Sequence, residues 1–222
     1  MEVPTPNESR TPNDPEMRNP EALLFDLGGV LVDIDFGQAL RSWAAHSSLS
    51  LDELQRRFRF DAAYERHERG EIDGREYFMH LAESLELSGP IERIEAGWNA
   101  IFSGEFVATR RLVQRVRGRL PCFVFSNTNA SHMSTWSRLY PEMVDSFDQI
   151  FVSHRLGLRK PDPLAFLEVC RLAGIRPDAM LFFDDLPANV RAAQAVGLQA
   201  VRVRSPADVA EALEACGVNA GG

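Results

Sequence analysis

The chain has 222 residues, of which 45% are hydrophobic and 25% charged, so it can form a sizeable core and has the composition of a soluble globular protein. Its length suits one α/β core with a small inserted domain better than two full domains. The net charge is -8, from 24 Lys and Arg against 32 Asp and Glu, and such a chain repels nucleic-acid phosphates on average. We therefore expect no nucleic-acid partner.

Membrane insertion and secretion are not expected either. No apolar run approaches the roughly 18 residues that span a bilayer, and the N-terminus has no apolar signal core. The cysteines Cys122, Cys170 and Cys216 are widely spaced, and no pair has zinc-ligand spacing. We interpret them as reduced core thiols and expect a cytoplasmic protein.

The chain divides into a tail, a core and an insert. Residues 1–20 are rich in proline and polar residues and are expected to be a disordered N-terminal tail, because they cannot bury enough apolar surface to offset their ordering entropy. Residues 36–103 carry helical patterns and, up to about residue 102, no convincing strand. We expect them to form a helical cap domain, with residues 21–35 and 104–222 forming the core domain.

Five short apolar runs predict buried strands, at residues 22–25, 122–125, 149–152, 180–183 and 199–203. Helical patterns lie between them, at residues 109–117, 162–172 and 188–196. Strands that alternate with helices predict an α/β fold with a parallel sheet and helices on both faces. Within the insert, helix starts are predicted at a capping box of Ser50 and Glu53, at Asp73 and at Pro90.

Reactive side chains follow the predicted strands, where an open α/β sheet binds its ligands. Asp26, the pair Ser126 and Asn127, and the pair Asp184 and Asp185 each end a strand, and Lys160 follows another. Carboxylates suit Mg²⁺, and a metal with a lysine screens phosphate charge so that a carboxylate can attack phosphorus. The set therefore predicts phosphoryl transfer.

Four segments, 25–31, 126–127, 160–161 and 183–185, resemble the four motifs of the haloacid dehalogenase superfamily in their order along the chain. The resemblance covers roughly residues 22–215. It implies a Rossmann-like core with a small all-helical cap inserted after the first strand, and a Mg²⁺-dependent phosphatase acting on a small phosphorylated metabolite. Residues 33–36 and 65–71 further resemble a bacterial subgroup that includes phosphatases of α-D-glucose 1-phosphate.

The resemblance also implies a role for each motif residue. Asp26 would be the nucleophile, forming an aspartyl-phosphate, and Lys160 would hold both the nucleophile and the phosphate. Ser126 and Asn127 would bind the phosphoryl group. The metal ligands would be Asp26, the backbone carbonyl of Gly28, and Asp185, with Asp184 helping directly or through water.

Gly28 departs from the family pattern, because phosphatases of the family usually carry there a second Asp that protonates the leaving group and later activates water. Three explanations stay open. A water or another group, such as Asp33, Asp35 or His67, substitutes for it. The substrate needs little acid help, as with the anomeric oxygen of a sugar 1-phosphate. Or the protein hydrolyses phosphate poorly and does something else.

Other functions stay open for the same reason. A metal-independent haloacid dehalogenase also lacks the second Asp, although Asp184 and Asp185 would then be hard to justify. A non-catalytic binding protein with a degenerate site is a further alternative, which Gly28 supports. A mutase is another option, but the missing acid/base residue argues against it because a mutase must shuttle protons twice. We expect structural roles for three other polar residues: Asp35 as a helix cap, Asp33 as a loop carboxylate, and Asn189 as an anchor of the loop after Asp185. His67 and Glu68 are expected either on a solvated face of a cap helix or in contact with substrate.

Overall fold

The structure, a computed structural model, describes residues 19–218. The expected disordered tail therefore lies outside the described residues, apart from Asn19 and the buried Pro20. The strands are β1 (Ala22–Phe25), β2 (Val32–Ile34), β3 (Phe102–Glu105), β4 (Cys122–Ser126), β5 (Gln149–Val152), β6 (Met180–Asp184) and β7 (Gln199–Arg202).

The helices lie between and after these strands in the chain. They are α1 (Phe36–Ala44), α2 (Leu51–Arg57), α3 (Ala62–Glu68), α4 (Gly74–Ser84), α5 (Ile91–Trp98), α6 (Val107–Val116), α7 (Ala130–Leu139), α8 (Pro141–Val144), α9 (Ser153–Leu156), α10 (Pro163–Ala173), α11 (Pro187–Ala195) and α12 (Pro206–Ala215). None of the helices between residues 19 and 218 is long and apolar enough to cross a membrane.

Five strands form one parallel sheet, as the sequence predicts, and their order in the sheet is β5-β4-β1-β6-β7. The central strand β1 is buried along its whole length, which explains why its sequence is continuously apolar rather than alternating. Alternate residues of β1 enter two different hydrophobic clusters, Leu23 and Phe25 on one face and Ala22 and Leu24 on the other. The α/β fold with both faces covered is confirmed.

Residues of α1 to α5 bury a third hydrophobic cluster of their own. Trp43 and Trp98 stack within it, with ring centroids 6.4 Å apart. The predicted helix starts are observed: Asp35 caps α1, Ser50 and Glu53 form a capping box on α2, Asp73 caps α4, and Pro90 precedes α5. This cluster is distinct from the two clusters that cover the faces of the sheet.

Two short strands join the helical insert to the core, and the sequence does not predict them. β2 and β3 pair antiparallel, with an irregularity between Asp33 and Ile34. Asp33 therefore lies in a strand, and its prediction as a loop carboxylate is wrong. The run is only three residues long and half exposed, and its partner lies far along the chain, so no local pattern marks it.

Candidate active site

The Lys160 ammonium lies between two carboxylates at the carboxyl end of the sheet. Its Nζ is 2.7 Å from Asp26 Oδ1 and 2.7 Å from Asp184 Oδ2. Asp26 follows β1, Asp184 ends β6, and these strands are neighbours in the sheet, so the topology alone brings the carboxylates together. The Lys160 side chain is 1% exposed, and a buried ammonium is tolerated here because two carboxyl groups lie within 2.7 Å of it.

Asp26 is held through one of its two carboxylate oxygens. Oδ1 accepts from Lys160 and, at 2.7 Å, from the backbone N–H of Leu27. Within residues 19–218 these contacts leave Oδ2 available. The residue is 8% exposed, so its free oxygen lies at the edge of solvent and can meet a ligand.

Asp184 is fully buried and has partners for both of its oxygens. Besides Lys160, the side-chain amide of Asn189 donates to each oxygen at 3.0 Å, and the backbone N–H of Leu186 donates to Oδ1 at 2.8 Å. The sequence predicts Asn189 as an anchor of the loop after Asp185, and its amide acts on the Asp184 carboxylate itself. Asp184 is thus built into the site as a fixed charge.

A divalent metal fits the carboxylate cluster. Asp26, Asp184 and Asp185 each offer an oxygen, and these atoms lie within 4.8 Å of one another. Three carboxylates with one ammonium leave an excess of negative charge, and hard oxygen donors are the ligands that Mg²⁺ prefers. Burial and the nearby Asp184 raise the pKa of Asp185, and a cation bound beside these carboxylates would oppose that effect. The role of Gly28, in the turn after Asp26, stays a prediction.

Asp26 makes the stability of the metal-free protein depend on pH. Burial raises the pKa of Asp26 from 3.8 to about 7, although Lys160 lowers it. Between these values the folded state binds a proton that the unfolded state has released, so stability falls as pH rises from about 4 to 7. We expect the free energy of unfolding of wild type, relative to Asp26→Asn, to fall across this range in urea titrations with chelator. A constant difference would contradict the raised pKa.

Gly29 places the backbone directly against Asp185. Its φ is +73°, and a Cβ there would lie 2.6 Å from Asp185 Oδ2. We expect Gly29→Ala to lower stability by about 1–2 kcal/mol, from the left-handed backbone, and to weaken Mg²⁺ binding roughly tenfold by displacing the carboxylate. Calorimetric titration with Mg²⁺ measures the second effect.

Gly174→Ala is the matched control for that change. Gly174 has a φ of +69° but no atom within 4 Å of a Cβ, and it ends α10. It should lose similar stability and keep its Mg²⁺ affinity. Equal losses of affinity in both variants would contradict the proposed contact between Gly29 and Asp185.

The two predicted phosphate-binding residues differ in what their side chains do. Ser126 ends β4 and is 4% exposed. The Asn127 amide binds the Lys160 backbone twice, donating to its carbonyl and accepting from its N–H, both at 2.8 Å. The Asn127 side chain therefore fixes the Lys160 backbone. The backbone N–H of Asn127 is then the group of this residue that could donate to a phosphoryl oxygen.

Two of the three candidate replacements for the missing acid have other contacts, and the third is exposed. Asp35 caps α1 and pairs with Arg41 at 2.6 Å, and Asp33 is exposed on β2. His67 stacks on Tyr77 inside the insert, 4.4 Å between centroids, and burial lowers its pKa to about 4. A Cβ on Gly28 would lie 2.7 Å from Ile34 Cδ1, so an apolar side chain occupies the space beside that position.

The structure also corrects the interpretation of the insert's third helix and adds residues that the sequence did not single out. His67 and Glu68 are 4% and 3% exposed, so they do not lie on a solvated helix face. Glu68 binds Arg159, the residue before Lys160. Lys160 is also the only lysine in the chain, a compositional signal that sequence inspection could have used.

These observations define a class of protein: an α/β fold with a five-stranded parallel sheet and a buried carboxylate–lysine site at the carboxyl edge of that sheet. The sequence matches haloacid dehalogenase-like hydrolases over residues 20–197, which is most of its length. The chain therefore belongs to the haloacid dehalogenase-like hydrolase family.

Two relatives and one solved structure are similar to this chain. A D-ribitol-5-phosphate phosphatase of Bacteroides thetaiotaomicron is 24% identical over 193 residues, 84% of this chain and 93% of the relative. A phosphatase of Mycobacterium tuberculosis is 29% identical over 192 residues, 82% and 86% of the two chains. A solved family enzyme of B. thetaiotaomicron, in complex with magnesium and inorganic phosphate, has a TM-score of 0.73 and 26% identity, covering 82% of this chain and 93% of its own.

Proposed function

We propose that the protein is a Mg²⁺-dependent phosphatase of small phosphorylated metabolites and that Asp26 is its nucleophile. The observation that carries the proposal is the Asp26 carboxylate, fixed through Oδ1 by Lys160 and Leu27 with Oδ2 available, beside Asp184 and Asp185. The names of the two phosphatase relatives, and the magnesium and phosphate in the similar structure, support it.

The reaction runs in two balanced steps. An Asp26 oxygen attacks phosphorus, the bond from phosphorus to the ester oxygen breaks, and the leaving oxygen takes a proton from solvent and departs as an alcohol. Water then attacks phosphorus of the aspartyl-phosphate and loses a proton, which releases inorganic phosphate and restores the carboxylate. The net change is hydrolysis of one phosphate ester by one water.

Lys160 and the end of β4 hold the transferred group. The Lys160 ammonium lies 2.7 Å from Asp26 Oδ1, so it can contact both the attacking oxygen and a phosphoryl oxygen. The hydroxyl of Ser126 and the backbone N–H of Asn127 can donate to the other phosphoryl oxygens. Because Asn127 also grips the Lys160 backbone, these donors keep a fixed spacing.

Mg²⁺ would be held by Asp26, the Gly28 carbonyl and Asp185, and when bound it supplies positive charge against the phosphoryl oxygens. Both oxygens of Asp184 already have protein partners, which favours a role through water over direct ligation. A dehalogenase would need no metal, and a cluster of three carboxylates within 4.8 Å is hard to account for without one.

We also propose that residues 36–103 form the cap over this site, with residues 21–35 and 104–222 as the core. The support is that α3 of the insert contacts the segment before Lys160, through Glu65 and Glu68 to Arg159. The three cysteines are free and buried, which supports a cytoplasmic location. A sugar or polyol phosphate is the proposed substrate class.

Phosphate release from a panel of metabolites tests the function. The panel contains α-D-glucose 1-phosphate, D-ribitol 5-phosphate and simple alkyl phosphates, each with Mg²⁺ and with chelator. The proposal expects release that chelator abolishes, and a substrate needing little acid help would be preferred if no group replaces the missing Asp. Halide release from a 2-haloacid that survives chelator would favour the dehalogenase, and no turnover by folded protein would favour a binding role.

A further inference from the structure

An ion pair joins the helical insert to the residue before Lys160. Arg159 Nε and Nη2 each lie 2.8 Å from Glu68 Oε2, and Nη1 lies 3.3 Å from Glu65 Oε1. The Glu68 side chain is 4% exposed and that of Arg159 is 19% exposed. The two residues are 91 positions apart, so this contact exists only when α3 is docked on the core.

Glu68 is held rigidly on its own helix as well. The Tyr64 hydroxyl donates to Oε1 at 2.7 Å, so each carboxylate oxygen has its own partner. Burial raises the pKa of Glu68, and the Arg159 charge opposes that effect. A buried ion pair adds little net stability because both charges lose water, and its best attested use is to fix the register of packed elements.

A second contact beside α3 supports close docking at the same place. The backbone at Gly70 lies against the carbonyl oxygen of His154, too close for any side chain at position 70. His154 lies in α9, which begins the segment leading to Lys160. The C-terminal end of α3 therefore contacts this segment near both of its ends, at His154 and at Arg159.

The segment in turn has few ways to move without moving Lys160. The Lys160 backbone is clamped by Asn127, and its ammonium bridges Asp26 and Asp184. A rotation at Arg159 that follows the insert would strain this clamp or shift the ammonium. The position of α3 and the position of the ammonium are thus mechanically linked.

We propose that Glu68 is a positioning residue: by binding Arg159 when the insert docks, it sets the Lys160 backbone and so aligns the lysine ammonium with Asp26 for reaction. This inference rests on the proposed phosphatase function for its effect on rate. On this proposal the docked insert does more than cover the site, because its docking is also required for the lysine ammonium to be aligned with Asp26. Glu68 itself touches no reacting atom.

Lys160 is the only lysine, so the protein labelled with ¹⁵N-lysine gives one backbone amide resonance, which reports directly on the Asn127 clamp. We expect this resonance to shift or broaden in Glu68→Gln, and less strongly in Tyr64→Phe, which keeps the ion pair. Arg66→Gln is the matched control, because Arg66 also lies on α3 but pairs with Glu71 and Glu76 inside the insert. It should leave the resonance in place.

Kinetics separate positioning from mere packing. We expect Glu68→Gln and Arg159→Gln each to lower kcat about tenfold with KM changed less than about threefold, and the double variant to lose no more than either single. A lower Tm with wild-type kcat and an unmoved lysine resonance would overturn the inference. If the wild-type protein showed no phosphatase activity but Glu68→Gln still shifted the lysine resonance, the proposed function would be refuted. The positioning contact between Glu68 and Arg159 would then still stand.

Discussion

Asp26→Asn is expected to lower phosphate release by roughly 10⁴-fold or more, because an amide is a poor nucleophile. The fold should survive. Asn keeps a side-chain oxygen that can accept from Lys160 and from the Leu27 N–H, as Asp26 Oδ1 does. Turnover with saturating Mg²⁺, alongside circular dichroism, measures both effects.

Asp33→Asn is the matched control for that variant. Asp33 is also a carboxylate close behind Asp26 in sequence, but it is exposed on β2. It should retain wild-type rates within about twofold, as surface substitutions do. If Asp26→Asn matched Asp33→Asn in turnover, Asp26 could not be the nucleophile.

Lys160→Met is expected to have the largest effect on stability. The substitution keeps the length of the side chain but leaves Asp26 and the fully buried Asp184 facing each other without a cation. Removing one partner of a buried charge pair costs about 3–5 kcal/mol. For a domain of this size that corresponds to a fall in Tm of about 10 °C, measured by calorimetry with chelator. Phosphatase activity should also be lost.

Two comparisons test the cause of the stability loss in Lys160→Met. Saturating Mg²⁺ should restore part of the lost stability, because a divalent cation replaces the missing positive charge. Arg110→Met removes a cation from a partly buried pair with Glu105, at 2.7 Å, and should cost less and leave activity intact. A Lys160→Met protein as stable as wild type in chelator would refute the view that the ammonium neutralises the buried carboxylates.

The strands of the core could be read from the sequence because burial on both faces leaves a continuous apolar run. β1 and β6 are buried at every position. The helix starts at Ser50 and Asp73 could also be predicted, because a capping side chain binds the backbone only two or three residues away. Features that depend on neighbouring residues alone can be predicted without knowing the rest of the fold.

The residues at the ends of strands could be placed together for a topological reason. Parallel strands deliver their carboxyl ends to one edge, so Asp26, Asp184 and Lys160 meet there once the sheet is predicted. Their roles in chemistry still rest on the proposal above. The position of Lys160 also depends on Asn127. The sequence suggests that Asn127 binds phosphate, whereas in the structure its side chain hydrogen-bonds to the Lys160 backbone.

Contacts between distant segments could not be read in this way. His67 and Glu68 follow a helical pattern that also fits a solvated face, and their burial depends on packing against residues such as Arg159. β2 and β3 are similarly defined by each other and not by their own sequences. The unpredicted features are therefore those that connect the insert to the core.

The most direct test of the central claim is to trap the phosphoryl-enzyme. A reaction with Mg²⁺ and the best substrate of the panel is quenched in acid during turnover, and the protein is digested and analysed by mass spectrometry. The account predicts a phosphoryl group on the peptide that contains Asp26, converted by borohydride to homoserine at that position and absent from Asp26→Asn. Turnover with a phosphoryl group on another residue, or with the same label in Asp26→Asn, would contradict it.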